Sequence, residues 1–327
     1  MTRLTFTLGL AALLLMPTTI RADGLTFQTV NNSGDPAFNR LLGINNSGTA
    51  VGYFGDGTTV PNSGYTVAPP YSGASYTNEN FPGAVQTQVV GINNLASPTT
   101  VGFWIDGSGN NFGFVDQGGT FTSVTDPSAA GTSQLLGVNS HGVAAGFYLD
   151  AGGNAHGFLY NIGTATFTAI NFPGATSTTV TGIDNNGVVT GFFTDGTGTH
   201  GFTDNGGTFT AFDFPGGTNT MFLGINNLGA IAGSYVDAGG LTHGLLYNPL
   251  TNTYETVDDP LASSTAAFGV TGTTINGIND NGQLVGFYSD GTNVNGFVAT
   301  PSPEPGSLML ISAGLIVLAG KFRKRTV

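Results

Sequence analysis

Gly137-Val138-Asn139, Ala145-Gly146-Phe147-Tyr148, Asp150, His156-Gly157-Phe158-Leu159-Tyr160, Phe167-Thr168-Ala169-Ile170 and Pro173 follow one another along a single stretch of the chain. The apolar segments are short, rich in Val, Phe, Tyr and Thr, and separated by Gly, Asn and Asp clusters, the pattern of strands joined by tight turns. The opening Gly-Val-Asn recurs, as Gly-Ile-Asn or a close variant, at Gly43, Gly91, Gly182, Gly224 and Gly277, with spacings of 48, 46, 45, 42 and 53 residues across the series. A recurrence at this length signals a repeat architecture. Four strands in each unit of about 40 to 50 residues make the blade of a β-propeller.

The ends of the repeat region bear on closure. The sixth repeat runs through Gly296-Phe297-Val298 and then lacks a fourth strand, whereas Leu25-Thr26-Phe27-Gln28-Thr29-Val30 at the other end matches the fourth-strand pattern. The reading is therefore an all-β, six-bladed β-propeller of four-stranded repeats, closed by the N-terminal strand, in preference to an open β-solenoid. It occupies residues 23–300, between a signal peptide at 1–22 and a C-terminal segment at 301–327.

Both ends read as targeting segments. Arg3 precedes an apolar stretch from Leu4 to Met16 and small or polar residues up to Ala22, the layout of a secretory leader. At the other end Pro303-Glu304-Pro305 precedes an uncharged apolar run, Gly306 to Gly320, expected as a transmembrane helix, and then the cationic cluster Lys321, Arg323, Lys324 and Arg325, which should stay on the cytoplasmic side. In its order of parts this tail closely resembles the PEP-CTERM sorting signal of Gram-negative bacteria. That resemblance implies processing by an exosortase near the Pro-Glu-Pro triplet and delivery to the cell surface or extracellular matrix, often where exopolysaccharide is made. The repeats, through His-Gly-Phe-Leu-Tyr and Gly-Ile-Asn-x-x-Gly, resemble the bacterial extracellular HAF repeat proteins, with Gly in place of the family's Ala. Ser63, Phe112 and Asn295 replace the His in half of the units. The resemblance implies an extracellular β-repeat domain and carries no activity with it.

Charge narrows the function classes. Between Asp23 and Thr300 the chain has one basic residue, Arg40, against 18 acidic ones, a formal net charge of −17. Such a body repels nucleic acid and anionic lipid surfaces. Without lysine, and with one guanidinium, it lacks the cationic clamp of phosphoryl transfer. Cysteine is absent, which excludes disulfides, thiolate metal sites and thiol nucleophiles. No nucleophile elbow, zinc-protease motif or phosphate loop is present.

The repeated polar residues are the candidate sites. Asp56, Asp106, Asp150, Asp195, Asp237 and Asp290 each end a second-strand segment, four of them in Asp-Gly dipeptides. A turn role leads, with Ca²⁺ ligation as the alternative because calcium takes carboxylate oxygens. Asn45, Asn93, Asn139, Asp184, Asn226 and Asn279 also read as turn residues, the alternative being a ring of amide oxygens at the mouth of an axial channel. His156, His200 and His243 share one repeat position and could meet on zinc only if it faced the axis. Tyr53, Phe103, Phe147, Phe192 and Phe287 read as packing between blades rather than as a sugar platform.

No catalytic or cofactor-binding residue is assigned. The expectation is an exported structural or binding protein of the surface or matrix, associated with exopolysaccharide or an envelope partner protein. The alternative is an extracellular carbohydrate-active lyase or hydrolase using carboxylates on the propeller face.

Overall fold

A computed structural model of the protein describes residues 24–58 and 61–302. Among these residues 24 strands and one short 3-10 turn, Gly73–Ser75, are formed, with no α-helix. Every repeat contributes an antiparallel meander, for example β10 (Ser133–Val138), β11 (Val143–Leu149), β12 (Ala155–Asn161) and β13 (Thr166–Ile170). Equivalent meanders are β6 (Gln86–Ile92) to β9 (Phe121–Val124), β14 (Ser177–Ile183) to β17 (Thr208–Phe212), and β18 (Thr218–Ile225) to β21 (Thr253–Thr256).

Six separate four-stranded blades, the arrangement expected from the repeats, do not form. Among the described residues there are five sheets: four propeller blades of four strands and one sheet of eight. The large sheet joins β22 (Thr273–Ile278), β23 (Leu284–Ser289) and β24 (Val294–Pro301) to β2 (Phe38–Ile44), β3 (Ala50–Gly55), β4 (Ser63–Val67) and β5 (Tyr76–Asn78). Its eighth strand is β1 (Leu25–Thr29), which pairs antiparallel with β24 from Leu25↔Pro301 to Thr29↔Phe297. The connection from β1 to β2 is short, so the start of β2 lies beside β24. There Phe38 pairs in parallel with Val294, and the Val294 N–H donates to the Ala37 carbonyl at 2.9 Å.

The expected transmembrane helix falls on the Gly306 to Gly320 run, outside the described residues. Among the described residues no helix is long and apolar enough to cross a membrane. The leader, the Pro303-Glu304-Pro305 triplet and the cluster Lys321, Arg323, Lys324 and Arg325 also lie outside them.

The core lies between neighbouring sheets. Val101 and Val115 of one blade pack against Leu135, Ala144 and Phe158 of the next, and Ala145 meets Val180, Val189 and Phe202 across the following boundary. Leu41, Tyr65 and Val285 fill the seam between the first and last repeats. Full burial of side chains like these contributes roughly 1.5–3 kcal/mol each.

Two glycine positions explain the repeating phrase. The first-strand glycines touch across the inner ring: a Cβ on Gly43 would meet the Val90 carbonyl oxygen at 2.6 Å, and one on Gly277 the Gly43 Cα at 3.1 Å. The innermost strand also carries a bulge in every repeat, as between Leu41 and Gly43. Opposite that bulge a Cβ on Gly52 would run into the Arg40 carbonyl, and Gly102, Gly146, Gly191, Gly233 and Gly286 are in the same situation. The inner strands therefore approach the axis more closely than any side chain at these positions would allow.

Candidate functional site: the axial funnel

The Asn series closes one end of the axis. The Asn45 Oδ1 accepts the Ser47 and Thr49 N–H groups at 3.2 and 3.0 Å, and the equivalent atoms of Asn139 and Asn279 cap their turns in the same way. The side-chain nitrogen reaches the next repeat: Asn45 Nδ2 donates to the Asn93 carbonyl, Asn93 to Asn139, Asn139 to Asp184, Asn226 to Asn279, and Asn279 back to Asn45. The amide oxygens thus face their own turns and do not ring a channel mouth. Asp184 has no amide donor and interrupts the series; its carboxylate accepts from Asn186 and Val188.

One residue further along, a second ring is unbroken. Backbone N–H groups of Asn46, Asn94, Ser140, Asn185, Asn227 and Asp280 donate to the side-chain oxygens of Asn94, Ser140, Asn185, Asn227, Asp280 and Asn46 respectively, at 2.7 to 3.3 Å. Above both rings Ile44, Ile92, Val138, Ile183, Ile225 and Ile278 converge, leaving cavities of only about 50 and 70 Å³ on either side of them.

Beyond this apolar plug the axis opens into a funnel of about 460 Å³. Alternate residues of the inner strands face it, among them Arg40, Leu42, Gln88, Val90, Thr179, Thr181, Met221, Thr274 and Asn276. Their cross-strand partners on the second strands form a collar: Tyr53 lies opposite Arg40, Phe103 opposite Gln88, Phe147 opposite Gln134, Phe192 opposite Thr179 and Phe287 opposite Thr274. All five aromatics read from sequence as packing between blades border the funnel; Tyr53 and Phe287 also pack in a buried cluster with Phe38, Val270 and Val294, as that reading expects. In the fifth repeat the collar position is Ser234, opposite Met221. Gly269, Val270 and Thr271, from the insertion that lengthens the last spacing, complete the wall.

The funnel gathers unsatisfied polarity. Among the described residues four buried side-chain polar atoms have no hydrogen-bond partner, and three of them, Arg40 Nε, Ser234 Oγ and Asn276 Oδ1, belong to residues lining this cavity. An unpaired buried polar atom costs about 1–3 kcal/mol, so three such atoms in residues around one cavity call for an explanation other than stability. Arg40 packs on two rings: its guanidinium carbon lies 4.4 Å from the Phe287 ring centroid and 5.0 Å from that of Phe38. Burial pushes the Tyr53 hydroxyl above its ordinary pKa, and the charge and hydrogen bond of Arg40 pull it partly back.

The aspartates and histidines lie elsewhere. Each of the six aspartates stands in its own hairpin and accepts N–H groups of its turn: Asp56 from Thr58, Asp106 from Ser108, Asp150 from Gly152, Asp195 from Thr197, Asp237 from Gly239 and Asp290 from Thr292. Hydrogen bonds hold several below the ordinary carboxylate range, chiefly from the Asn110 side chain to Asp106, His156 to Asp150 and the Thr197 hydroxyl to Asp195. His156 meets Asp150 at 3.0 Å, while His200 and His243 approach Asp213 and Asp258 at 2.7 Å. Each imidazole packs on its own aromatic, His156 and His243 stacked on Tyr148 and Tyr235 and His200 tilted against Phe193. Among the described residues no group of three or more acidic or histidine side chains could hold a metal ion.

One buried acidic pair stands apart from the axis. Glu79, after β5, accepts a hydrogen bond from the Thr100 hydroxyl, with Asp116 of β8 (Asn111–Gln117) nearby. Burial first, then the charge of Asp116, outweigh the Thr100 bond and push the Glu79 carboxyl up to about 7.

No protein-family model matches the chain, and no curated protein matches it. Among solved structures the fold is similar to the SapL1 lectin in complex with alpha methyl fucoside, at 10% identity and TM-score 0.52, covering 83% of this chain and 97% of that one. It is also similar to the Aleuria aurantia lectin, at 10% identity and TM-score 0.49, covering 85% and 99%. A third similar structure is TolB from Acinetobacter baumannii, at 10% identity and TM-score 0.47, covering 80% of this chain and 63% of TolB. At these identities the likeness bears on the fold, a β-propeller, and on nothing finer.

Proposed function

We propose that the protein is an exported binding module of the cell surface or extracellular matrix whose ligand enters the axial funnel. The observation that carries this reading is the funnel itself: about 460 Å³, walled by five aromatics, with Arg40 Nε, Ser234 Oγ and Asn276 Oδ1 unpartnered at its lining. That combination of apolar wall, few polar groups and volume fits a small-ligand pocket. Aromatic faces beside hydroxyl and amide groups suit a saccharide, which presents an apolar C–H face and a rim of hydroxyls. A surface polysaccharide end is therefore the proposed ligand, in keeping with the lectins that share the fold.

Binding rather than hydrolysis is favoured because the described residues that line the funnel include no carboxylate and no histidine, whereas glycoside hydrolysis uses two carboxylates about 5–9.5 Å apart. Export and exosortase sorting rest on the sequence of the two ends. A glycan-array screen of the protein tests the reading: saccharides should bind, and Ser234→Phe, which restores the aromatic found in the other repeats, should block them. Binding unaffected by Ser234→Phe would place the ligand outside the funnel.

A further inference from the structure

We infer that the ligand of the funnel carries a carboxylate, received by Arg40, so that the sugar recognised is a uronic acid at the end of a chain. This inference rests on the reading of the funnel as the ligand site. Arg40 is the sole cationic residue between Asp23 and Thr300, and among the described residues no carboxylate forms an ion pair with it; the ion pairs there all involve histidine. A lone guanidinium in so acidic a body would ordinarily find a carboxylate. Here its guanidinium packs on the Phe287 and Phe38 rings and hydrogen-bonds the Tyr53 hydroxyl, with its Nε unpartnered.

The three unpartnered atoms also fall on one arc. Ser234 belongs to the fifth repeat, Asn276 to the sixth and Arg40 to the first, which follows the sixth around the ring through the Asp280 to Asn46 bond. On the other side stand Phe103, Phe147 and Phe192. A ligand with one charged, hydroxylated edge and one apolar face matches both halves.

The charge count selects the anion. One guanidinium balances one negative charge, and its planar fork matches two coplanar carboxylate oxygens. A phosphate monoester brings about −1.5 to −2 charges, leaving an excess inside a body already at −17. The Ile/Val plug beneath the funnel stops a chain from threading through, so a terminal sugar is what enters.

The test is calorimetric titration with a glucuronate-terminated oligosaccharide, its methyl ester, its neutral glucose counterpart and a 6-sulfated neutral analogue. The acid should bind at least about tenfold more tightly than the ester, a difference near 1.4 kcal/mol. Arg40→Gln should erase that preference, and Arg40→Lys, which keeps charge without the planar fork, should retain part of it. A thermal melt confirms that each variant is folded. Equal binding of acid and ester, both abolished by Ser234→Phe, would overturn the carboxylate and leave the funnel standing. Tighter binding of the sulfated sugar, or a preference for the acid that survives in Arg40→Gln, would also overturn it. Binding that is indifferent to Ser234→Phe would remove the funnel and the carboxylate together.

Discussion

Asn46 and Asp280, 234 positions apart, clasp each other twice: the Asp280 N–H donates to Asn46 Oδ1 at 2.9 Å, and Asn46 Nδ2 donates to Asp280 Oδ2 at 2.7 Å. This pair closes the inner ring between the first and last repeats. Asp280 also receives the N–H and Nδ2 of Asn227, both at 2.8 Å, so one carboxylate links three repeats.

Asp280→Ala should therefore destabilise the protein by about 2–3 kcal/mol, since bonds to a charged acceptor contribute roughly 1.5–3 kcal/mol each and do not add fully. Asn94→Ala, which removes the single acceptor for the Asn46 N–H, should cost only about 1 kcal/mol. Urea titration of the two variants checks the order, and equal losses would mean that the seam is not special.

Glu79 makes stability depend on pH. Its carboxyl is raised from 4.5 to about 7 in the folded protein, so the folded state holds its proton longer than the unfolded state does. That stabilisation is complete below about pH 4.5 and is lost as pH rises towards 7. The full swing is roughly 3 kcal/mol at 1.36 kcal/mol per pKa unit. Glu79→Gln keeps an acceptor for Thr100 without the charge. At pH 8 it should be more stable than the parent by up to about 3 kcal/mol, and at about pH 4, below the unfolded value, the two should nearly coincide. Denaturation curves at the two pH values decide it.

Gly286 tests the packing behind the repeating phrase. A Cβ there would strike the Thr274 carbonyl and approach the Ile275 Cα at 3.0 Å. Backbone atoms of a bulged strand cannot swing aside as a side chain can. Gly286→Ala should lose at least about 2 kcal/mol or fail to accumulate folded, whereas Gly107→Ala, with nothing within 4 Å of its Cβ, should be close to neutral. A melt of both variants gives the answer.

The hairpin aspartates accept hydrogen bonds from their own turns, and the turn reading predicts stability independent of metal. EDTA should leave the melting temperature unchanged, and Asp150→Ala should lower it equally with and without EDTA, because the lost partners are the Gly152 and Asn154 N–H groups and His156. A fall in melting temperature on adding EDTA to the parent protein would restore the calcium reading.

The strands, their four-to-a-sheet grouping in the four middle repeats and the hairpin role of the aspartates were legible because each depends on neighbours in sequence: Asp106 caps the turn only two residues ahead. What depends on the ring was not. The amide of Asn45 bonds a carbonyl 48 residues away, and nothing in Gly-Ile-Asn distinguishes that clasp from an ordinary turn. The fusion of two strand runs into one sheet rests on a single parallel pair, Phe38 and Val294, which leaves no periodic trace. The funnel was half visible. The aromatics after the second-strand glycines stood out, but which of them face the axis depends on how the strands pair around the ring, and Ser234 is where the series fails. Its signal was present in the absence of an aromatic after Gly233.

The most direct test is a crystal structure of the protein soaked with the tightest-binding saccharide from the array. Density for a terminal sugar inside the funnel, its carboxylate on Arg40 and its ring against the Phe103, Phe147 and Phe192 collar, is the predicted result. A sugar bound between blades or on the outer hairpins, with the funnel unchanged, would contradict the account.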